Sequence, residues 1–229
     1  MGDILRAGGI YKLGYGTISK LVMLDHRLNM GAKGVYVYLC SFAGAGDVAF
    51  PFRNKITSDL NISVHTYYGY MNQLTEYGYI TKEQQRKGTR FSHNIYTINQ
   101  FIARNDCIDI LKENGIDTSS IPPMPLIDID IIGYGKIPKA VTTDATITIK
   151  SKAIFGFIAS NNHWMNPDLC SWSNLCKIMH ISKTTFYKTI DELLASGYIM
   201  EQRQEMVKGY DKPVYHINVA YTPDQQEQI

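Results

Sequence analysis

The chain repeats itself at a spacing of 119 residues. Moved by that amount, Gly14-Tyr15-Gly16-Thr17-Ile18-Ser19-Lys20 falls on Gly133-Tyr134-Gly135-Lys136-Ile137-Pro138-Lys139. Val22 and Asp25 fall on Val141 and Asp144, and Lys33 on Lys152. The same shift pairs Ile62-Ser63 with Ile181-Ser182, Thr66 with Thr185, Tyr68 with Tyr187 and Leu74 with Leu193. It also pairs Gly78-Tyr79-Ile80 with Gly197-Tyr198-Ile199, and Tyr96, Ile98 and Asn99 with Tyr215, Ile217 and Asn218. A register held without gaps over about 65 residues restricts the chain to two related units, each needing its own core. The units are expected at residues 1–100 and 133–229, joined by 101–132.

Read through both copies, each unit opens with an extended segment, Ile18 to Leu24 and Ile137 to Thr143. A helix follows a capping residue, Asn29 or Thr148. Val35, Tyr36, Leu39 and Phe42, and in the second copy Ile154, Phe155 and Ile158, give it a core-facing stripe. The first such helix ends at Gly44–Asp47 and the second at Asn161–His163. A shorter helix is expected at Arg53–Leu60 and at Ser173–Met179. A tight turn leads into a third helix capped by Ser63 or Ser182 and stopped by Gly78 or Gly197. Tyr67, Tyr70, Met71 and Leu74 form the buried stripe of that helix in one copy, and Phe186, Thr189, Ile190 and Leu193 in the other. Paired β-like runs complete each unit, Tyr79–Gln85 with Ser92–Ile98 and Tyr198–Gln204 with Pro213–Ile217. Their tips are basic: Arg86-Lys87-Gly88-Thr89-Arg90 and Lys208-Gly209-Tyr210-Asp211-Lys212.

A Gly-containing basic hairpin after a helix-turn-helix is the pattern of a winged helix. The run Leu28–Ile80 resembles the winged helix-turn-helix domains at the N-termini of plasmid and phage replication proteins. The residues that carry the resemblance are Ala32-Lys33, Val35-Tyr36 and Tyr38-Leu39, then Ala49-Phe50-Pro51, Ile62-Ser63 with Thr66, and Leu74 with Gly78-Tyr79-Ile80. The second copy keeps the Ile-Ser and Gly-Tyr-Ile elements but has Leu169-Cys170-Ser171 in place of Phe-Pro. The fold expected is therefore mainly α with small β wings, an α+β class of two tandem winged helix-turn-helix domains. The resemblance implies a replication initiator or a transcriptional regulator, since tandem winged helices build many iteron-binding plasmid initiators. No further domain of a helicase-recruiting kind is recognisable.

In a winged helix the exposed face of the third helix enters the major groove and the wing lies on the backbone or the minor groove. The first copy then offers Ser63, His65, Thr66, Tyr68 and Asn72, with Val64 and Gly69 beside them. Asn72 suits adenine, His65 a guanine or a phosphate, and the hydroxyls suit phosphate oxygens. The second offers Ser182, Lys183, Thr184, Thr185, Tyr187 and Lys188, a more cationic surface. Arg86, Lys87, Arg90, Lys208 and Lys212 in the wings suit phosphates without regard to sequence. Each group also has a plain structural use. Ser63 and Ser182 cap their helices whether or not DNA binds, Tyr67 and Tyr70 belong to the core, and a basic tip can be a solvated hairpin end. The first third helix has no Lys or Arg, which keeps open a second function: a protein-interaction scaffold, or an inhibitor of a mobile element.

Composition narrows the classes. Hydrophobic residues at 45% against 19% charged describe a globular chain. Net charge is only +2, divided as +5 over residues 1–100, −4 over 101–132 and +1 over 133–229, so phosphate binding rests on local patches. Asp117 to Pro125, with three prolines, favours an extended backbone. Residues 101–132 are accordingly expected to be an acidic tether, although Leu126–Ile132 alternates as a strand does. No apolar run approaches the roughly 18–20 residues that span a bilayer. The opening residues have no signal-like apolar stretch and Arg6 does not suit lipidation, so a cytoplasmic protein without membrane contact is expected. Four scattered cysteines give no disulfide framework, and Cys170, Cys176 and His180 lack the spacing of a zinc site. No phosphate-binding loop, nucleophile elbow, metalloprotease motif or nickase His pair is present. The expected protein is not an enzyme and takes no metal or small-molecule cofactor. Its expected partner is double-stranded DNA, with a homodimer as a further assembly open to it.

Overall fold

A computed structural model describes residues 9–87, 90–161, 172–204 and 212–221. After a single 3-10 turn at Gly9–Tyr11, the first half contains β1 (Tyr15–Ser19), α1 (Lys20–Leu24), α2 (Met30–Ala43), β2 (Val48–Ala49), α3 (Arg53–Asp59), α4 (Val64–Glu76), β3 (Ile80–Lys87) and β4 (Arg90–Ile98). A connecting part follows with β5 (Phe101–Ala103), α5 (Arg104–Glu113) and β6 (Leu126–Asp128). The second half contains β7 (Tyr134–Pro138), α6 (Lys139–Thr143), α7 (Ile149–Asn161), α8 (Trp172–Ile178), α9 (Lys183–Ala195), β8 (Ile199–Gln204) and β9 (Lys212–Ile217). The architecture is mixed α+β with small antiparallel sheets.

Side-chain caps start α2 and α7. Asn29 accepts a hydrogen bond from the Ala32 amide at 2.9 Å and starts α2, while Gly44 at φ 69° ends it. Thr148 receives the Ser151 amide at the start of α7. Helix α2 is buried almost all round, as the central element of its half should be. Residues 20–24 and 139–143 differ from expectation, forming the short helices α1 and α6 rather than extended chain. An apolar run such as Leu21-Val22-Met23-Leu24 has no period that separates strand from buried helix. The extended chain lies just before, in β1 and β7, where two glycines let the strand press on the long helix of its own half. A Cβ at Gly16 would stand 1.8 Å from the Cys40 carbonyl oxygen, and one at Gly135 2.0 Å from that of Ala159.

Strands β1 and β7 pair with each other, antiparallel, with Thr17 opposite Lys136 at the centre of the register. These two residues are 119 apart. The Lys20 amide donates to Gly133 at 3.0 Å and the Lys139 amide to Gly14 at 2.9 Å, one bond being the copy of the other. Helices α2 and α7 pack together where a Cβ on Gly156 would meet Val37 Cγ2 at 2.5 Å, again positions 119 apart. Lys33 Nζ reaches the Ile178 carbonyl at 3.5 Å, and Lys152 Nζ reaches the Asp59 carbonyl at 2.5 Å. Contacts that reciprocate in this way define an isologous, two-fold relation. A rough translation of one unit onto the next, which would set two sites about one DNA turn (~10 bp) apart in the same orientation, is therefore not the relation between the halves.

Residues 101–132 also differ from the expected tether. Strands β5 and β6 pair, with Ile102 opposite Ile127, and Cys107, Ile110 and Leu111 are buried where α5 packs on α1. Polar bonds pin the segment: Arg27 Nη1 to Asp106 at 2.8 Å, Asn114 Nδ2 to the Leu24 carbonyl at 3.2 Å, and Arg104 Nε to the Pro122 carbonyl at 2.8 Å. Its prolines suggested an extended tether, but apolar side chains at i, i+3 and i+4 are enough to dock one helical face. One hydrophobic cluster runs through both halves and this connecting part.

Candidate nucleic-acid interface

Helix α3, the turn at Leu60–Ser63 and helix α4 form a helix-turn-helix. Asn61 makes the turn in the left-handed region at φ 48°, a conformation Asn adopts more readily than most residues. The Ile62 amide closes the turn on the Thr57 carbonyl at 3.0 Å. Ser63 then caps α4, its hydroxyl accepting the Thr66 amide at 3.1 Å and lying 2.8 Å from the Thr66 hydroxyl. In the second half α8, Met179–Ser182 and α9 follow the same course. His180 turns at φ 50°, Ile181 bonds to Cys176 at 3.0 Å, and Ser182 accepts the Thr185 amide at 3.1 Å. The capping roles expected for both serines are met.

The buried side of α4 fixes its outer side. Tyr67, Met71 and Leu74 are buried, and Tyr70 is half-buried. Tyr67 and Tyr96 share a hydroxyl bond of 2.8 Å, and Asn94 Nδ2 donates to Tyr96 at 3.0 Å, tying the helix to β4. After Gly78 (φ 75°), Tyr79 donates to Asp25 at 2.7 Å. Burial alone would raise the Asp25 carboxyl, but hydrogen bonds from Arg27 and Tyr79 hold it below the usual carboxylate range. The second half repeats this brace, with Tyr198 donating to Asp144 at 2.8 Å.

With the inner side so held, Ser63, His65, Tyr68 and Asn72 are exposed and Thr66 is half-buried. In the second half Ser182, Lys183, Thr184, Tyr187 and Lys188 are exposed and Thr185 is half-buried. Each set therefore lies together on the outer side of one helix. Arg86 and Lys87 end β3, Arg90 opens β4 and Lys212 opens β9. Lys208 and Cys170 lie outside the described residues. Among the described residues no group of His, Cys, Asp and Glu is arranged to hold a metal. No helix there is long and apolar enough to cross a membrane.

Four positions that bear on the interface escaped the sequence reading: Arg53, Lys82, Trp172 and Asp191. Arg53 Nη1 donates to the Tyr68 hydroxyl at 3.0 Å, and Lys82 Nζ lies 5.1 Å from the Tyr68 ring centre. The Arg53 hydrogen bond, with the nearby charges of Arg53 and Lys82, lowers the Tyr68 hydroxyl pKa. Helix α4 has no cation of its own, yet its outer face is cationic because α3 and β3 supply the charge. In the second half Lys183 Nζ sits 4.6 Å from the ring centre of Trp172 and 5.8 Å from that of Tyr187. Trp172 occupies the position of Arg53 under the 119-residue shift, and Asp191 that of Asn72. That shift was the signal available in the sequence, but it reveals these residues only once α3 and β3 are known to border α4.

Comparison with known families agrees with this geometry over part of the chain. Residues 26–80 match the family described as a helix-turn-helix domain. Among curated proteins none matches the chain. The chain thus contains a helix-turn-helix domain at 26–80, with DNA as the partner such a domain suggests.

Proposed function

We propose that this protein binds double-stranded DNA sequence-specifically, as a non-enzymatic replication initiator or transcriptional regulator. In this reading residues 172–217 supply a second helix-turn-helix unit. The observation that carries it is the helix-turn-helix at 26–80, whose α4 exposes Asn72 and Tyr68, the latter flanked by the cations Arg53 and Lys82. Side chains of α4 and α9 read base edges, and the flanking cations and the wings hold phosphates. The hydroxyls of Ser63 and Ser182 accept the amides of Thr66 and Thr185 in their own helices, so their share of the interface is to start the helices that carry it. Binding of the full chain to duplex DNA, titrated with salt, tests the proposal. Specific binding that falls steeply with salt is expected, and no retention of any duplex at low ionic strength ends it.

A second reading has its own observation. Phe50 and Phe52 are 55% and 65% exposed beside the helix-turn-helix, as suits a protein-binding scaffold. Phe52→Ser that leaves DNA binding unchanged but removes in-cell function favours that reading.

A further inference from the structure

The two-fold relation between the halves constrains which duplex can engage both outer helices together. If one half meets the DNA with its helix running one way along the groove, the other half must meet it running the opposite way. A protein dyad can coincide only with a dyad of the duplex, so the bases read by the halves stand in inverted order. The relation rests on reciprocated contacts: β1 on β7 about Thr17 and Lys136, Lys20 to Gly133 with Lys139 to Gly14, and Lys33 to Ile178 with Lys152 to Asp59. These contacts are buried or part of a sheet, so the arrangement is built in and needs no second chain.

The halves agree in scaffold but not in the side chains they present. At equivalent positions on the outer faces stand Arg53 and Trp172, Val64 and Lys183, His65 and Thr184, Gly69 and Lys188, Asn72 and Asp191, Lys82 and Glu201. The chemistry at these pairs differs in kind. The carboxamide of Asn72 can both accept and donate, which matches the adenine N6/N7 edge, whereas the carboxylate of Asp191 only accepts, which matches the cytosine N4 amino group. Arg53 offers a guanidinium for a phosphate, whereas Trp172 offers a ring already covered by Lys183.

We infer that the target of this protein is an imperfect inverted repeat, two unlike half-sites read by one chain in one fixed orientation. The inference rests on the duplex-DNA reading above. In the half-site of α4 an adenine faces Asn72, and in that of α9 a cytosine faces Asp191.

In-vitro selection with the full chain, from duplexes with a random core of about 30 bp (three helical turns), tests this. The expected outcome is two short motifs in inverted orientation with different sequences. Asn72→Ala should relax one motif only and Asp191→Ala the other only, each with a loss of roughly 5- to 150-fold in preference at one base pair. A direct repeat, a perfect palindrome, a single motif, or both variants relaxing the same motif overturns the inference while leaving duplex binding intact. No enrichment of any duplex overturns the duplex-DNA reading and this inference with it.

Discussion

Ser63 and Gly69 show how single residues divide between stability and recognition. The Ser63 hydroxyl is already committed to the Thr66 amide and hydroxyl. Ser63→Ala should cost about 1 kcal/mol of folding stability, measured by urea denaturation. Gly69 lies within α4, and a Cβ there would meet nothing within 4 Å. Gly69→Ala should therefore stabilise by roughly 0.5–1 kcal/mol, the usual gain in a helix interior. Gly16→Ala should instead prevent folding, because its Cβ has no space beside the Cys40 carbonyl. Arg53 belongs to recognition. On the DNA reading, Arg53→Ala should weaken binding to all sequences alike and reduce the slope of log K against log salt by about 1.

At the scale of elements, the connecting part is as firmly built as the two halves. Ile110 on α5 is buried, so Ile110→Ala should cost about 2–5 kcal/mol, whereas a solvated tether would lose almost nothing. Chemical denaturation separates the two outcomes. The third helices were legible in the sequence because the Ile-Ser turn, the cap and the Gly stop are local signals that read the same in both copies. Helix α5 was not, since its three apolar positions stand among acidic residues that by themselves indicate solvation. Arg53 and Lys82 were not recognised either, because their approach to Tyr68 depends on how α3 and β3 pack around α4, and no local pattern encodes that.

At the scale of the whole molecule, two buried lysines reach carbonyls of the opposite half. Burial lowers Lys33 to about 7 and Lys152 to about 8, with Asp25 and, for the second, Asp144 and Asp59 opposing the shift. Their ordinary value is 10.5, so between about pH 7 and pH 10 the unfolded chain binds more protons than the folded one. Stability should rise with pH across that window. Above pH 10 the buried Tyr36 and Tyr79, whose hydroxyls burial pushes upward, reverse the sign. Thermal midpoints measured from pH 7 to pH 10 should climb in the natural protein and climb less in Lys33→Met with Lys152→Met. Because the core is continuous across the halves, a single cooperative transition is expected in calorimetry, whatever the pH.

The sequence by itself carried a repeat at 119 residues, the turn, cap and stop of α4 and of α9, and the face that each of these helices buries. Those features follow from neighbours a few residues apart and from a repeat visible as identity. Only the tertiary structure decided how the units meet. The choice between translation and two-fold rotation lies in contacts between residues far apart in the chain, in β1 pairing with β7 and in lysines reaching carbonyls of the opposite half. Repetition in a sequence says that a surface occurs twice, and it takes packing to say that the two copies are related by a two-fold axis.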